Sequence, residues 1–240
     1  MQIFYAPNIK GTSYTLPEDE ARHCLRVLRM RVGDEVELVD GKGNLFTGRI
    51  ANPDLKECTL EIVRKASNFG MRHFYLHIAI APTKNADRFE WFAEKATEIG
   101  VDAITPLICE RSERKTVNFE RLERIVISAM KQSEKAYLPT LHPATSIKEL
   151  ITNTPADFVK LIAHCNEKGI PHLKTMVNPG DRVLILIGPE GDFSPKEVDF
   201  ALLNGFRAIS LGNSRLRTET AGIVACHAVN MLNAEDFSSI

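Results

Sequence analysis

The stretch that decides the fold runs from Val183 to Leu232 and reads VLILIGPEGDFSPKEVDFALLNGFRAISLGNSRLRTETAGIVACHAVNML. It opens with Val183-Leu184-Ile185-Leu186-Ile187, an apolar run short enough and β-branched enough for a strand buried on both faces of a parallel sheet. Pro189 has no N–H with which to extend a ladder, and Gly188 and Gly191 permit close backbone approach, so a loop follows at once. Ser194, Pro195 and Glu197 then mark a helix start, as N-cap, first-turn proline and capping-box partner. That helix carries Leu202 and Leu203 and ends at Asn204-Gly205. A second buried strand, Ala208 to Leu211, leads into another loop, Gly212-Asn213-Ser214. Beyond Arg215 to Thr220, a last helix of small and apolar residues closes the fold, with Ala221, Ile223, Val224, Ala225, Ala228, Val229 and Leu232 among them.

Ligands of open α/β sheets sit in the crevice beyond the carboxyl ends of the strands, so two glycine loops at successive strand ends point to one pocket. Neither G-x-G-x-x-G nor G-x-x-x-x-G-K-[ST] occurs in this stretch, which argues against a nucleotide held by its phosphates. Taken alone, these residues fit either a pocket for a phosphate-free small ligand or glycines that merely turn the chain.

Upstream, strands at Phe74 to Ile80, Ala103 to Ile108 and Phe158 to Ala163 alternate with helices. One helix repeats Phe89, Phe92, Ala93, Ala96 and Ile99 at helical spacing before Gly100; another starts near Asn118. The alternation predicts a parallel-sheet α/β domain over residues 73–240, reached through a linker at residues 66–71. His164, at the end of its strand, reads as a structural histidine rather than a base. Residues 1–68 read as a small, mostly β domain, with a helix from Pro17 to about Leu28. Arg22, Arg26 and Arg29 stand four and three apart on one face of that helix, and Arg31 follows; no acid occurs from Arg22 to Val32. Such a stripe is either a solvated face or a phosphate-binding surface. Lys84, Arg88 and Lys95 allow the same two readings.

A net charge of -1 means that a nucleic-acid partner would have to be met by a local basic patch. An apolar content of 44% is enough for a buried core, yet no run is long enough to span a membrane, and the first residues lack a signal-peptide pattern. A cytoplasmic protein is expected. Cys24, Cys58, Cys109, Cys165 and Cys226 are scattered without a C-x-x-C, which suggests buried hydrophobes and no metal site.

The strings HCLRVLRMRVGD (23–34), RFEWFAEKATEIGVDAITPL (88–107), IGPEGDFSPKEV (187–198) and ISLGNSRLRTETA (209–221) together resemble the RsmE family, uridine-N3 methyltransferases of small-subunit (16S) ribosomal RNA. The resemblance covers almost the whole chain. It implies an α/β SPOUT-type parallel sheet whose C-terminal chain ties a trefoil knot around S-adenosyl-L-methionine, plus a PUA-like β-barrel RNA-binding domain at the N-terminus. Carried over, the donor pocket comprises Leu186, Ile187, Gly188, Pro189, Glu190 and Gly191, then Leu211, Gly212 and Asn213, then Leu216, Arg217 and Thr218. Arg111, beside Ser112, joins Arg22, Arg26, Arg29 and Arg31 as a candidate RNA contact.

Uridine N3 is protonated at neutral pH, so methyl transfer to it needs a base or a group that stabilises the imide anion. Arg217 and Glu219 are the candidates for these roles, although Thr218 or Thr220 could equally cap the last helix and Glu219 favour its dipole. The sequence departs from the family pattern at Asp192, where a glycine is usual, and at Lys131 and Lys135. Asp tolerates a positive φ better than most residues. The resemblance further implies a homodimer, packed through small residues such as Ala221, Gly222, Ala225 and Ala228, and ribosomal RNA as partner, within an assembled 30S particle. Two alternatives are a SPOUT enzyme with another RNA target and a non-catalytic RNA-binding protein. The intact glycine loops argue against the second.

Overall fold

A computed structural model describes residues 3–164 and 169–234; Cys165 lies outside the described residues. The chain forms two compact units, one of residues 1–71 with 127–138, the other of residues 72–126 with 139–240. Segment 127–138, which the strand–helix alternation places in the second domain, therefore belongs to the first unit.

The first unit holds a five-stranded sheet of β1 (Ile3–Tyr5), β2 (Ser13–Thr15), β3 (Glu35–Val39), β4 (Leu45–Asn52) and β5 (Thr59–Ala66), in the order β1-β3-β4-β5-β2. Helix α1 (Glu18–Arg22) follows β2. Alternation along β3 sends Val36 and Leu38 into a core with Phe4, Leu16, Ile50 and Leu60. Between β3 and β4, Asp40 accepts hydrogen bonds from the backbone N–H groups of Lys42 and Asn44, and this fixes the turn. The 127–138 segment packs Met130 and Ala136 against Ile3 and Val39, and Gly43 N–H donates to the Ala136 carbonyl at 2.9 Å. Gly43 is required here because a Cβ would overlap the Tyr137 ring. Lys131, one of the departures from the family pattern, has a partner in Glu20, 2.6 Å away.

The second unit holds β6 (Tyr75–Ile80), α2 (Ala86–Ile99), β7 (Ala103–Ile108), β8 (Thr140–Leu141), β9 (Thr145–Ser146), α4 (Ile147–Asn153), β10 (Val159–Ala163), β11 (Arg182–Ile187), α5 (Pro195–Leu203), β12 (Arg207–Ile209) and α6 (Thr218–Leu232). Helix α3 (Phe119–Gln132) crosses the division. The strands lie in the order β12-β10-β11-β6-β7-β8, every pair parallel, with β9 beside β7. Leu184 and Leu186 share one face with Ile147, Ile151, Val198 and Ala201 of α4 and α5. On the other face, Ile80 meets α6 at Gly222. Cover on both faces explains why β11 is apolar at every position from Val183 to Ile187.

Gly222 and Ala225 are buried, so half of the small-residue stripe expected at a dimer contact is used within the chain. A Cβ at Gly222 would lie 2.5 Å from the Phe92 ring and 2.8 Å from Ile80. Gly222→Ala gains about 1 kcal/mol of helix propensity, but overpacking costs about 1–3 kcal/mol where neighbours cannot yield. Phe92 and Ile80 are fully buried, so net destabilisation is expected, read as a lower urea midpoint at unchanged m-value.

Candidate functional site

Strand register creates the site. Ala163 is paired with Ile187 on one side and Ile209 on the other, so β10, β11 and β12 end at one level and their loops leave the sheet side by side. The loops enclose a cleft of about 1100 Å³. Its lining includes Ile187, Gly188, Pro189, Glu190 and Gly191 from the first glycine loop, Leu211, Gly212 and Asn213 from the second, and Leu216, Arg217 and Thr218 before α6. Leu186 does not line it: one residue inside the strand end, its side chain is fully buried in the core.

The first loop is built by short-range chemistry. Asp192 N–H donates to the Pro189 carbonyl at 2.9 Å, and Asp192 adopts φ 61°, the left-handed conformation in which an aspartate can replace glycine. Phe193 folds back under Gly188, where a Cβ would stand 3.1 Å from the ring. Ser194 and Glu197 form the expected capping box. Glu197 does more than cap α5. It is only 8% exposed, and while one carboxylate oxygen accepts Ser194 N–H at 2.8 Å, the other accepts Glu110 N–H from the loop after β7 at 2.7 Å. The β7 loop is itself closed by Ser112 Oγ, which accepts Cys109 N–H at 3.0 Å. Burial, reinforced by nearby Glu197, pushes the Cys109 thiol up, which keeps it protonated and rules it out as a ready nucleophile.

Arg111 lines the cleft wall, with Nη1 donating to the Gly191 carbonyl at 2.8 Å. The expected RNA contact is thus engaged on the protein's own backbone. Glu190 likewise accepts Lys84 N–H at 2.9 Å, from the loop after β6.

At the far side, Gly212 adopts φ 125°, a region that disfavours any side chain. Thr218 does not cap α6; its hydroxyl donates to the Gly188 carbonyl at 3.1 Å and ties the helix start to the first loop. Arg217 reaches the cleft, but Glu219 does not line it. The first turn of α6 carries Glu219 toward α2, where one oxygen lies 3.9 Å from Arg88 Nε and the other is buried without a hydrogen-bond donor. The pair proposed from sequence is therefore divided. Sequence reasoning overlooked Arg215, in the same loop as Arg217, and favoured a purely structural role for His164, which lines the cleft at the end of β10. Level strand ends place both, and register is invisible in a single sequence.

In the first unit, α1 passes into one turn of π-helix, His23–Val27, and Leu28 N–H donates to the His23 carbonyl at 3.0 Å. Arg29 then leaves the helix at φ 58°. The four-and-three spacing of Arg22, Arg26 and Arg29 therefore does not give one α-helical face, because a π turn advances less per residue. All four arginines are nonetheless exposed. Arg22 pairs with Glu18, whereas no carboxylate of the described residues pairs with Arg26, Arg29 or Arg31. Lys84 and Lys95, the other candidate contacts, pair with Glu113 and with Glu94 and Glu98.

Among the described residues, no group of three or more His, Cys, Asp or Glu is placed to hold a metal ion, and no helix is long and apolar enough to cross a membrane. The family model of the RNA methyltransferase domain matches residues 71–230, and that of the RNA methyltransferase PUA domain matches residues 16–63. The chain belongs to the RNA methyltransferase family. A Buchnera aphidicola relative named ribosomal RNA small subunit methyltransferase E is 28% identical over 238 residues, spanning 96% of this chain and 93% of its own. A probable rRNA methyltransferase of Porphyromonas gingivalis superposes with a TM-score of 0.92 at 48% identity, covering 97% of this chain and 98% of that one. A Neisseria gonorrhoeae ribosomal RNA small subunit methyltransferase E, solved bound to S-adenosyl methionine, gives 0.87 at 30% identity over 97% and 98% of the two chains. For this RNA methyltransferase family member, the resemblance drawn from its motifs holds.

Replacing Thr218 by Val keeps its shape but leaves the buried Gly188 carbonyl without this donor. A loss of about 1–3 kcal/mol in folding stability is expected, checked by equilibrium urea unfolding.

Proposed function

We propose that this protein transfers a methyl group from S-adenosyl-L-methionine to uridine N3 in small-subunit ribosomal RNA. The observation that carries the reading is the cleft at the level ends of β10, β11 and β12, because its lining gathers the motif residues that the RsmE resemblance assigns to the donor, all but Leu186. The residues fit that ligand. The cleft volume of about 1100 Å³ is ample, and its lining combines apolar Ile187, Leu211 and Leu216 with glycine backbone that a flat purine and ribose can approach. S-adenosylmethionine, when bound, supplies an electrophilic methyl group. In this reading residues 183–232 tie a trefoil knot whose loops form the cleft, the first unit closes as a PUA-like barrel, and the enzyme works in the cytoplasm on the assembled 30S particle.

In this reading Arg217, which lines the cleft, stabilises the imide anion that forms when uridine N3 loses its proton. Glu219, buried outside the cleft beside Arg88, does not serve as the proton acceptor, and the proton leaves to solvent. Arg26, Arg29 and Arg31 hold the RNA backbone.

A homodimer completes the reading. The face of α6 not used within the chain carries Ala221, Val224 and Ala228, with Met231 57% exposed; Trp91 of α2 is 44% exposed. Together they offer a self-complementary apolar surface. Light scattering at micromolar concentration should report twice the chain mass, and a monomer would refute the pairing.

The chemistry is tested by single-turnover methylation of small-subunit ribosomal RNA at saturating donor and RNA, the modified nucleotide being located by mass spectrometry. Arg217→Ala should slow the saturated rate on the order of a hundredfold. Glu219→Gln should retain far more activity. Arg26→Ala should leave the saturated rate intact while lowering RNA affinity and the slope of its salt dependence by about one counterion. A methyl group found elsewhere than uridine N3 would overturn the substrate assignment, and equal slowing by Arg26→Ala and Arg217→Ala would overturn the division of roles.

A further inference from the structure

Two charged side chains on the cleft wall make hydrogen bonds to the protein's own backbone. Arg111 comes from the loop after β7 and donates Nη1–H to the Gly191 carbonyl at 2.8 Å, with a longer contact of 3.4 Å to the Phe193 carbonyl. Glu190 comes from the loop after β11 and accepts Lys84 N–H, from the loop after β6, at 2.9 Å. The bonds run in opposite directions, so the 188–193 loop is held from two neighbouring loops at once. Each brace is itself anchored. Glu197 fixes Glu110, the residue before Arg111, at 2.7 Å, and Arg114 donates Nη2–H to the Lys84 carbonyl at 3.1 Å.

The loop needs such support. It contains two glycines and a left-handed Asp192, whose conformation a free chain would rarely hold, and Gly188 and Pro189 have left the β11 ladder. A carbonyl of an exposed turn can be satisfied by water, so an arginine recruited to it serves geometry more than solvation.

We propose that Arg111 and Glu190 are positioning residues that hold the 188–193 loop in its ligand-receiving shape, Arg111 not being a phosphate contact and Glu190 not a charged contact to the ligand. The inference rests on the reading of this cleft as the S-adenosylmethionine site. It differs from that reading in assigning both side chains to the wall rather than to either substrate.

The test uses the full chain with Arg111→Ala, Arg111→Lys, Glu190→Ala and Glu190→Gln. Three quantities are measured: hydrogen exchange of the 188–193 segment without ligand, calorimetric affinity for S-adenosylmethionine, and the salt dependence of RNA binding. Arg111→Ala should speed exchange of the segment and weaken donor affinity about tenfold, the loss of one charge-assisted hydrogen bond, at an unchanged melting temperature. Arg111→Lys, lacking the planar fork, should recover only part of that loss, whereas Glu190→Gln, which keeps an acceptor oxygen, should recover most of what Glu190→Ala loses. The salt slope should not move in any variant. Unchanged exchange in Arg111→Ala would overturn the proposal whether or not the donor binds. A salt slope lowered by about one would make Arg111 a phosphate contact instead, and Glu190→Gln as damaging as Glu190→Ala would make the carboxylate charge a ligand contact. Wild-type protein without measurable donor affinity, with exchange still faster in Arg111→Ala, would overturn the cleft assignment and leave the brace standing.

Discussion

The in-register pairing of β10 with both β11 and β12 is the constraint on which the rest of the second unit depends. Because Ala163, Ile187 and Ile209 lie across from one another, three strands end at one height, and the backbone beyond it must find partners other than the β10 ladder. Buried backbone groups do not stay unpaired. Side chains from neighbouring loops take over: Glu197 receives two N–H groups, Thr218 serves the Gly188 carbonyl, and Ser112 closes the turn after β7. The loop after β11 is tied to the loops after β6 and β7 and to the start of α6.

Two buried glutamates show how differently the same group can be used. Glu197 has a donor on each carboxylate oxygen, which offsets the desolvation of its charge. Glu219 has a single, 3.9 Å approach from Arg88 on one oxygen, while the other is buried without a hydrogen bond. The first is a structural node. The second keeps unused capacity on the side of α6 that faces α2.

Much of this was legible in the residues. The apolar run at Val183 to Ile187, the Ser194 capping box and the glycine loops each follow from local chemistry, so β11, α5 and the loops between them needed no tertiary information. The glycine loops that line the cleft were legible for the same reason, while Leu186, one residue inside the strand end, is not among the residues of that lining. Longer-range facts were not. The π turn at His23–Val27 redirects an arginine row that looked helical, and α4 and the short strands β8 and β9 give too little periodicity to be seen. Arg111 and Glu219 carry the residue types expected of contacts, but what they face is decided by packing across 80 and 131 positions of chain respectively, to Gly191 and Arg88.

The membership of residues 127–138 in the first unit has a consequence for how the protein is made. Domains commonly fold as they leave the ribosome, amino-terminal part first. Here the first unit has a core that includes Met130 and Ala136, and its Gly43 turn is shaped to receive Tyr137. Its hydrophobic surface at Ile3 and Val39 therefore stays open while β6, α2 and β7 are synthesised. The unit encoded first can close only after the opening strands of the second have emerged. The order of translation and the order of completion are interleaved, and a gene cut at the apparent linker would separate a core from its own last piece.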